Sequence, residues 1–387
     1  MKDNIRIAIC APNQTSSSET FIANHVNGLQ GEIFFLYGGW LPVSYDNTPI
    51  SSCLETKNNK RPNIFSKFLK PKKKNNFSNV EQLEFFLTQK KIDVVLCEYG
   101  LTGVSVGSIC KKIGIPFVVH FHGFDAYHHV TIEQYGEKYK NIVNEASSII
   151  AVSEHMKSQL INLGIQKNKI QLIHYGVDLD LFKANSKKEF NPIILSVGRF
   201  VTKKTPHATI LAFSEALKEF PQAKLIMAGD AGLGNSPELL IACKQLVKIL
   251  NIEKNVQFTG AVSQTEIAKL MHDASIYIQH SVISESGDSE GTPNSVIEAS
   301  ASGLCVVATR HGGIPDVIVH EATGYLSDEF DLESMICSLK EALRNPSRTL
   351  DLGRAGSKRV TENFKLQNQL GKLYDVLRIA AENYTKN

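Results

Sequence analysis

The stretch Glu290-Gly-Thr-Pro-Asn-Ser-Val-Ile-Glu298 turns a loop into a helix, and the rest of the chain can be read outward from it. Gly291 admits a close backbone approach, Thr292 is a candidate helix cap, and Pro293 suits a first helical position. Val296, Ile297, Ala299 and Ala301 supply an apolar, small-residue surface. Gly303 reads as the stop and Leu304-Cys-Val-Val-Ala308 as a buried strand. At about 3.6 residues per turn, acids eight positions apart do not share a helix face. Glu290 therefore belongs to the loop and Glu298 to the second helical turn. The free N–H groups between them form a ready anion site.

The same strand–helix alternation runs through the chain. Strands are expected at Ile5–Ala11, around Phe34, and at Val94–Cys97, Phe117–His120, Ser148–Val152 and Ile170–Ile173. Helices are expected at Glu19–Leu29, Ser78–Lys90 (opened by the capping box Ser78/Glu81), Val104–Ile113, Ile132–Glu145 and Glu154–Leu163. Gly38–Phe77 reads as irregular. Asp178–Asn191 is polar, lacks periodicity and reads as a linker, after which the pattern restarts. Strands follow at Ile193–Val197, Lys224–Ala228, Val256–Phe258 and Ile276–Ile278, with a second capping box at Ser263/Glu266. Leu332–Leu343 and Leu366–Tyr384 are closing helices. The fold class is α/β, with two doubly wound, Rossmann-like domains. Residues 1–185 form the first, 186–365 the second, and 366–387 a terminal helix packing back toward the first. Ligands belong outside the carboxyl ends of the strands and in the cleft between the domains.

Composition excludes few classes. The 387 residues are 42% apolar and 21% charged, an ordinary globular balance, and the formal net charge of +3 argues against a nucleic-acid partner. The charge is local: Lys57 to Lys74 carries eight Lys/Arg and no acid. The seven cysteines are scattered without a CxxC pair, which suits a reducing compartment. There is no apolar signal region at the N-terminus and no run of 18 apolar residues. The expected location is cytoplasmic, with membrane contact only from the surface.

Several short constellations carry chemistry. Gly198-Arg199 ends a strand and Lys203-Lys204 follows within one loop, a fork and a point charge suited to a diphosphate or simply to solvent. It is not a Walker loop, and no G-x-G-x-x-G follows any strand. In His120-Phe-His-Gly-Phe-Asp125, His122 beside Gly123 can approach a ligand, and Asp125 either orients a ring nitrogen or caps the next turn. A packed, structural histidine is an equal reading, and the motif holds no third metal ligand. Ser284–Glu290 is acidic without calcium-loop spacing. Glu290 suits a polar ligand and Glu298 a ribose. His311-Gly-Gly-Ile-Pro315 reads as a sharp turn with exposed N–H groups.

Taken together, the chain resembles the retaining glycosyltransferases of family 4, which have the GT-B fold. The matching residues are Ser18-Glu-Thr-Phe-Ile22, His120 to Asp125, Tyr175-Gly-Val-Asp178, Val197-Gly-Arg199 with Lys204, Gly229-Asp230, the Glu290/Glu298 pair, and His311 to Pro315. The resemblance implies a catalytic set of Glu290, His122, Arg199 and Lys204. Arg199 and Lys204 hold the donor diphosphate, Glu290 the donor sugar and Glu298 the ribose, while His122 touches the sugar from the other domain. Gly198, Gly229, Asp230, Val262 and the Gly291, Thr292, Pro293, Asn294 backbone complete the donor side. Glu19, Thr20 and Asp125 lie on the acceptor side. No cofactor and no metal is implied, and a UDP- or GDP-hexose is a substrate. Two departures stand out: Thr205 where many relatives have Gly, and Pro12 to Ser18 in place of a Gly-Gly loop.

The function this implies is hexosyl transfer from a nucleotide sugar to a glycan or lipid-linked acceptor in polysaccharide or cell-envelope assembly. A nucleotide-sugar epimerase and a non-catalytic glycan- or nucleotide-binding module are the alternatives. In the basic insertion, Ile64, Phe65, Phe68 and Leu69 fall at helical spacing. That gives either a segment for an anionic membrane surface or a solvated loop.

Overall fold

The computed structural model describes residues 4–14, 19–52, 77–185, 187–231 and 237–384. Two sheets organise it. The first contains β1 (Arg6–Cys10), β2 (Glu32–Tyr37), β3 (Ser44–Tyr45), β4 (Thr48–Pro49), β5 (Val94–Glu98), β6 (Phe117–His120), β7 (Ser148–Ala151) and β8 (Ile170–Leu172). Their order is β4-β3-β2-β1-β5-β6-β7-β8, parallel except for the β3/β4 edge hairpin. The second contains β9 (Ile193–Val197), β10 (Lys224–Ala228), β11 (Val256–Gly260), β12 (Ile276–Gln279), β13 (Cys305–Thr309) and β14 (Gly324–Ser327). These run parallel in the order β11-β10-β9-β12-β13-β14.

Strand order reverses between β1 and β5 in the first sheet and between β9 and β12 in the second. At such a switch point the loops leave in opposite directions and open a crevice. The stretch Glu290–Glu298 follows β12, and the Arg199–Lys204 loop follows β9, so both face the second crevice. Central strands are buried on both faces: every residue of β5 and β13 is buried. This is why they read as unbroken apolar runs.

Local signals mark the helices well. Ser78 and Ser263 each accept from the third helical amide, and Glu81 and Glu266 reach back to the cap, closing both capping boxes. Five features depart from expectation. Within the stretch read as irregular, Asp46 and Asn47 take left-handed backbone angles and turn the β3/β4 hairpin. β14 precedes, and a long helix, Pro346–Asn363, follows the one helix expected there, Leu332–Leu343. The third helix starts at Gly100, because the Asp125 carboxylate accepts from the Gly100 amide. Thr292 caps nothing; its hydroxyl donates to the Val152 carbonyl at 3.0 Å, and the helix Asn294–Ala301 begins after Pro293.

The terminal helix Leu366–Tyr384 lays Leu370, Leu373, Leu377, Ala380 and Ala381 onto Ile5, Ile7, Ile9 and Leu96 of the first sheet. The chain therefore returns from the second sheet to the first. The basic segment Lys57–Lys74 lies outside the described residues. Among described residues, no helix is long and apolar enough to cross a membrane, and six cysteines are free.

Candidate active site

The crevices of the two sheets face each other and merge into a cleft of about 760 Å³. Its second-sheet wall carries Gly198, Arg199, Lys204, Gly229, Asp230 and Val262, together with Glu290, Gly291, Thr292, Pro293, Asn294 and Glu298. Glu19, Thr20 and His122 come from the first-sheet side. Every expected site residue but Asp125 thus reaches one cavity.

Backbone geometry explains the glycines. Gly229 has φ of 138°, and a Cβ there would collide with the Gly198 carbonyl. Gly291 packs so close that a Cβ would strike the His122 carbonyl oxygen. The walls are also stitched together elsewhere. The Asn294 amide donates to Thr20 Oγ1 at 3.0 Å, and the Asp316 carboxylate accepts from the Glu154 amide at 2.9 Å and meets His174 at 3.0 Å.

The cations divide into two kinds. Lys203 pairs with Asp288 at 3.1 Å and Lys204 stands 3.0 Å from Glu290 as an ion pair. The Arg199 guanidinium has no ion pair or hydrogen bond with any described residue, and its fork is open to the cleft. Burial pushes the Glu290 carboxyl up, but the Lys204 and Lys203 ammonium groups outweigh it and hold it at about 2. Glu290 is thus ionised and facing a cation. Glu298 differs. Its carboxylate takes no hydrogen bond from a described residue, and burial raises it to about 7. One carboxylate is paired with a cation; the other is buried at the cleft without one.

His311 does more than turn the chain. Its Nδ1–H donates to Glu329 at 2.7 Å, which leaves Nε2 to accept from the Glu290 amide at 3.0 Å. Gly313 donates to the Gly291 carbonyl at 2.7 Å. The His311–Pro315 turn therefore supports the Glu290 loop from behind rather than presenting N–H groups to the cleft. Thr205 sits at φ 31°, in the left-handed region, where Gly is the easier residue. Its hydroxyl lies 2.6 Å from both His280 Nδ1 and the His280 carbonyl, which fixes the conformation.

One expectation on the first-sheet side is corrected. Asp125 is fully buried, outside the cleft, and accepts from the amides of Gly100, His122 and Gly123. It shapes the backbone under His122 and touches no ring nitrogen. His122 reaches the cleft, but both its nitrogens are already engaged. Nε2 lies 2.8 Å from Glu98 and Nδ1 lies 2.7 Å from the Tyr175 hydroxyl. Burial, with His120 beside it, depresses His122 to about 3 against the opposing pull of Glu98. The ring is neutral: Nε2–H donates to Glu98, and Nδ1 accepts from Tyr175.

Glu98 is the group the sequence reading missed. It is 0% exposed and also meets His25 at 2.7 Å and His120 at 3.3 Å. Burial works against its charge, yet His25 and the three imidazole hydrogen bonds hold it well below the ordinary carboxyl range. A charged residue closing the apolar run Val94-Val-Leu-Cys97 was the available signal. His25, Glu98 and His120 are also the metal-like grouping found among described residues, with ligand atoms within 4.8 Å of one another. Their short separations are those of a carboxylate accepting N–H bonds.

Two switch-point crevices closing face to face, one with a basic and acidic lining, define the GT-B class. The solved structure of the Anabaena protein Alr3699/HepE in complex with UDP superposes at a TM-score of 0.74 with 15% identity, covering 97% of this chain and 100% of that one. Residues 178–359 match the family described as glycosyl transferases group 1, and residues 32–181 match glycosyltransferase family 4. The chain belongs to this glycosyltransferase family. It is 27% identical over 253 residues to WcaL of Escherichia coli (strain K12), a glycosyltransferase named for colanic acid biosynthesis, covering 64% of this chain and 61% of WcaL. It is 26% identical over 289 residues to the amylovoran biosynthesis glycosyltransferase AmsK of Erwinia amylovora, covering 74% of this chain and 70% of AmsK.

Proposed function

We propose that the protein is a retaining, metal-independent hexosyltransferase. It moves a sugar from a nucleotide-sugar donor to a glycan or lipid-linked acceptor in polysaccharide assembly. Residues 1–185 serve the acceptor and 186–365 the donor. The observation that carries this reading is the unpaired Arg199 guanidinium, set in one cleft with the Lys204–Glu290 pair and the partnerless Glu298. The diphosphate takes the Arg199 fork and shares Lys204 with Glu290, Glu290 faces the hexose, and Glu298 accepts from the ribose hydroxyls. His122 walls the sugar site with its ring edge.

Cleavage of the glycosyl–phosphate bond leaves negative charge on the diphosphate and positive charge on the ring. Arg199 and Lys204 meet the first, and the Glu290 carboxylate the second. Each preorganised group of this kind contributes about 3–4 kcal/mol. In front-face substitution the C1–O(phosphate) bond breaks as the C1–O(acceptor) bond forms, and the acceptor proton passes to the departing phosphate oxygen. The relatives' polysaccharide names support the pathway class. UDP in the HepE complex supports trying UDP-hexoses first. Lys57–Lys74 is proposed to dock at an anionic membrane surface, which anionic-vesicle flotation tests.

The test is calorimetry with UDP, GDP and ADP, followed by transfer assays with the matching hexose donors and product analysis. Arg199→Ala should weaken nucleotide binding and lower transfer at least about tenfold with the fold intact. Near-native values for both would refute the site. Activity abolished by excess chelator would refute the metal-independent mechanism.

A further inference from the structure

The two walls of the cleft differ in charge. Arg199, Lys203 and Lys204 all belong to the second-sheet wall. On the first-sheet wall the described lining residues include no Lys or Arg, and its one histidine, His122, is held neutral. Its carboxylate is Glu19, fixed by the Tyr99 hydroxyl at 2.7 Å and the Asn13 amide at 3.1 Å. Beside it stand three aromatic rings. Trp40 packs edge-on to Tyr99 at 5.7 Å and near-parallel to Phe124 at 6.3 Å with 24° between planes. Trp40 and Phe124 are only partly buried and line the cleft.

We infer that Trp40, Phe124 and Glu19 form an acceptor subsite for the terminal unit of a neutral saccharide, and that it selects against anionic acceptors. The inference rests on the hexosyltransferase reading above and names the chemistry of its second substrate. An aromatic face with a carboxylate and an amide at its rim matches a pyranose. The C–H face of the sugar lies on the rings, and its hydroxyls donate to the carboxylate. A phosphorylated or carboxylated acceptor would meet Glu19 with no cation among that wall's described residues to compensate. The subsite also abuts the proposed sugar site. Gly123, next to Phe124, packs where a Cβ would come within 3.1 Å of the Ser289 carbonyl and 3.3 Å of the Gly291 amide, on either side of Glu290. Asn294 Oδ1, buried at the cleft and without a hydrogen-bond partner, offers a further hydroxyl acceptor.

Trp40 is the only tryptophan in the chain, so its emission reports on this wall. The full-length protein, with and without UDP, is titrated with methyl glycosides of glucose, mannose, galactose and N-acetylglucosamine. Parallel titrations use myo-inositol 1-phosphate, malate and glucuronate. At least one neutral glycoside should give a saturable change below about 50 mM, and no anion should. Phe124→Ala should weaken that binding about tenfold while UDP affinity is unchanged. Phe124→Leu, which fills the core but removes the flat face, should weaken it about fivefold if the Ala variant does not fold. An anion that saturates more tightly than every neutral glycoside overturns the inference, as does the absence of any neutral glycoside response. Glycoside binding with no binding of UDP, GDP or ADP would instead refute the nucleotide-sugar reading and leave the subsite standing.

Discussion

Glu298→Gln separates the cost of this site from its use. A carboxyl raised from 4.5 to about 7 by burial costs the folded protein about 3 kcal/mol once ionised. Because the folded value lies above the unfolded one, the sign is fixed. The penalty is absent below about pH 4.5, grows between there and pH 7, and is complete above. The amide removes it, at the expense of about 1–3 kcal/mol for an unpartnered buried group, the same at every pH. The difference between about pH 8 and pH 5 therefore isolates the carboxylate. Relative to wild type, the variant should gain about 2 kcal/mol between those values, a relative rise of roughly 3–6 °C in Tm. Nucleotide binding should move the other way. Ribose hydroxyls favour the ionised carboxylate, so wild-type UDP affinity should climb from pH 5.5 to pH 7 and flatten above. In Glu298→Gln the affinity should be about tenfold weaker at pH 8 and lose this slope. Thermal scans of the free protein and calorimetry with UDP at both ends of the range decide it. A pH-independent Tm difference together with unchanged UDP affinity would refute the reasoning.

Thr205→Val should destabilise by about 2–3 kcal/mol in urea titrations, because a β-branched residue in the left-handed region loses both His280 hydrogen bonds. Thr205→Gly should stay within about 1 kcal/mol of wild type, since relief of strain offsets those bonds. Gly291→Ala should force the walls apart against the His122 carbonyl, seen as a larger radius of gyration in solution scattering and transfer reduced at least about tenfold. Glu98→Ala strands three imidazole N–H groups and should cost about 3–5 kcal/mol by chemical denaturation. In wild type the low Glu98 value makes this contribution complete above about pH 4.5 and lost as the pH falls toward its folded value, so Glu98→Ala should blunt acid denaturation.

Much of the architecture was legible residue by residue. The capping boxes at Ser78 and Ser263 and the apolar runs of β5, β9 and β13 are short-range signals, written within a few positions of one another. So are the Glu290–Glu298 loop-to-helix turn and the Arg199–Lys204 loop. What escaped was also local in cause. The Pro346–Asn363 helix carries an apolar stripe diluted by charge, with a mean hydropathy too low to stand out, and the Asp46-Asn47 turn lay inside a polar segment.

The sequence by itself determined which residues stand at the ends of the parallel strands. Strand order then obliges those ends to share a crevice. Only the tertiary structure decided what each side chain does there. Glu290 and Glu298 are the same amino acid, eight residues apart. One is held ionised by Lys204 and the other is raised to about 7 by burial. The motif left His122 open between a ligand contact and a packed ring, and Glu98, Tyr175 and Phe21 arrive from three distant segments to take both nitrogens and one face of the ring. Charge and availability depend on solvation and on partners brought together by sheet topology, and neither is encoded in spacing along the chain.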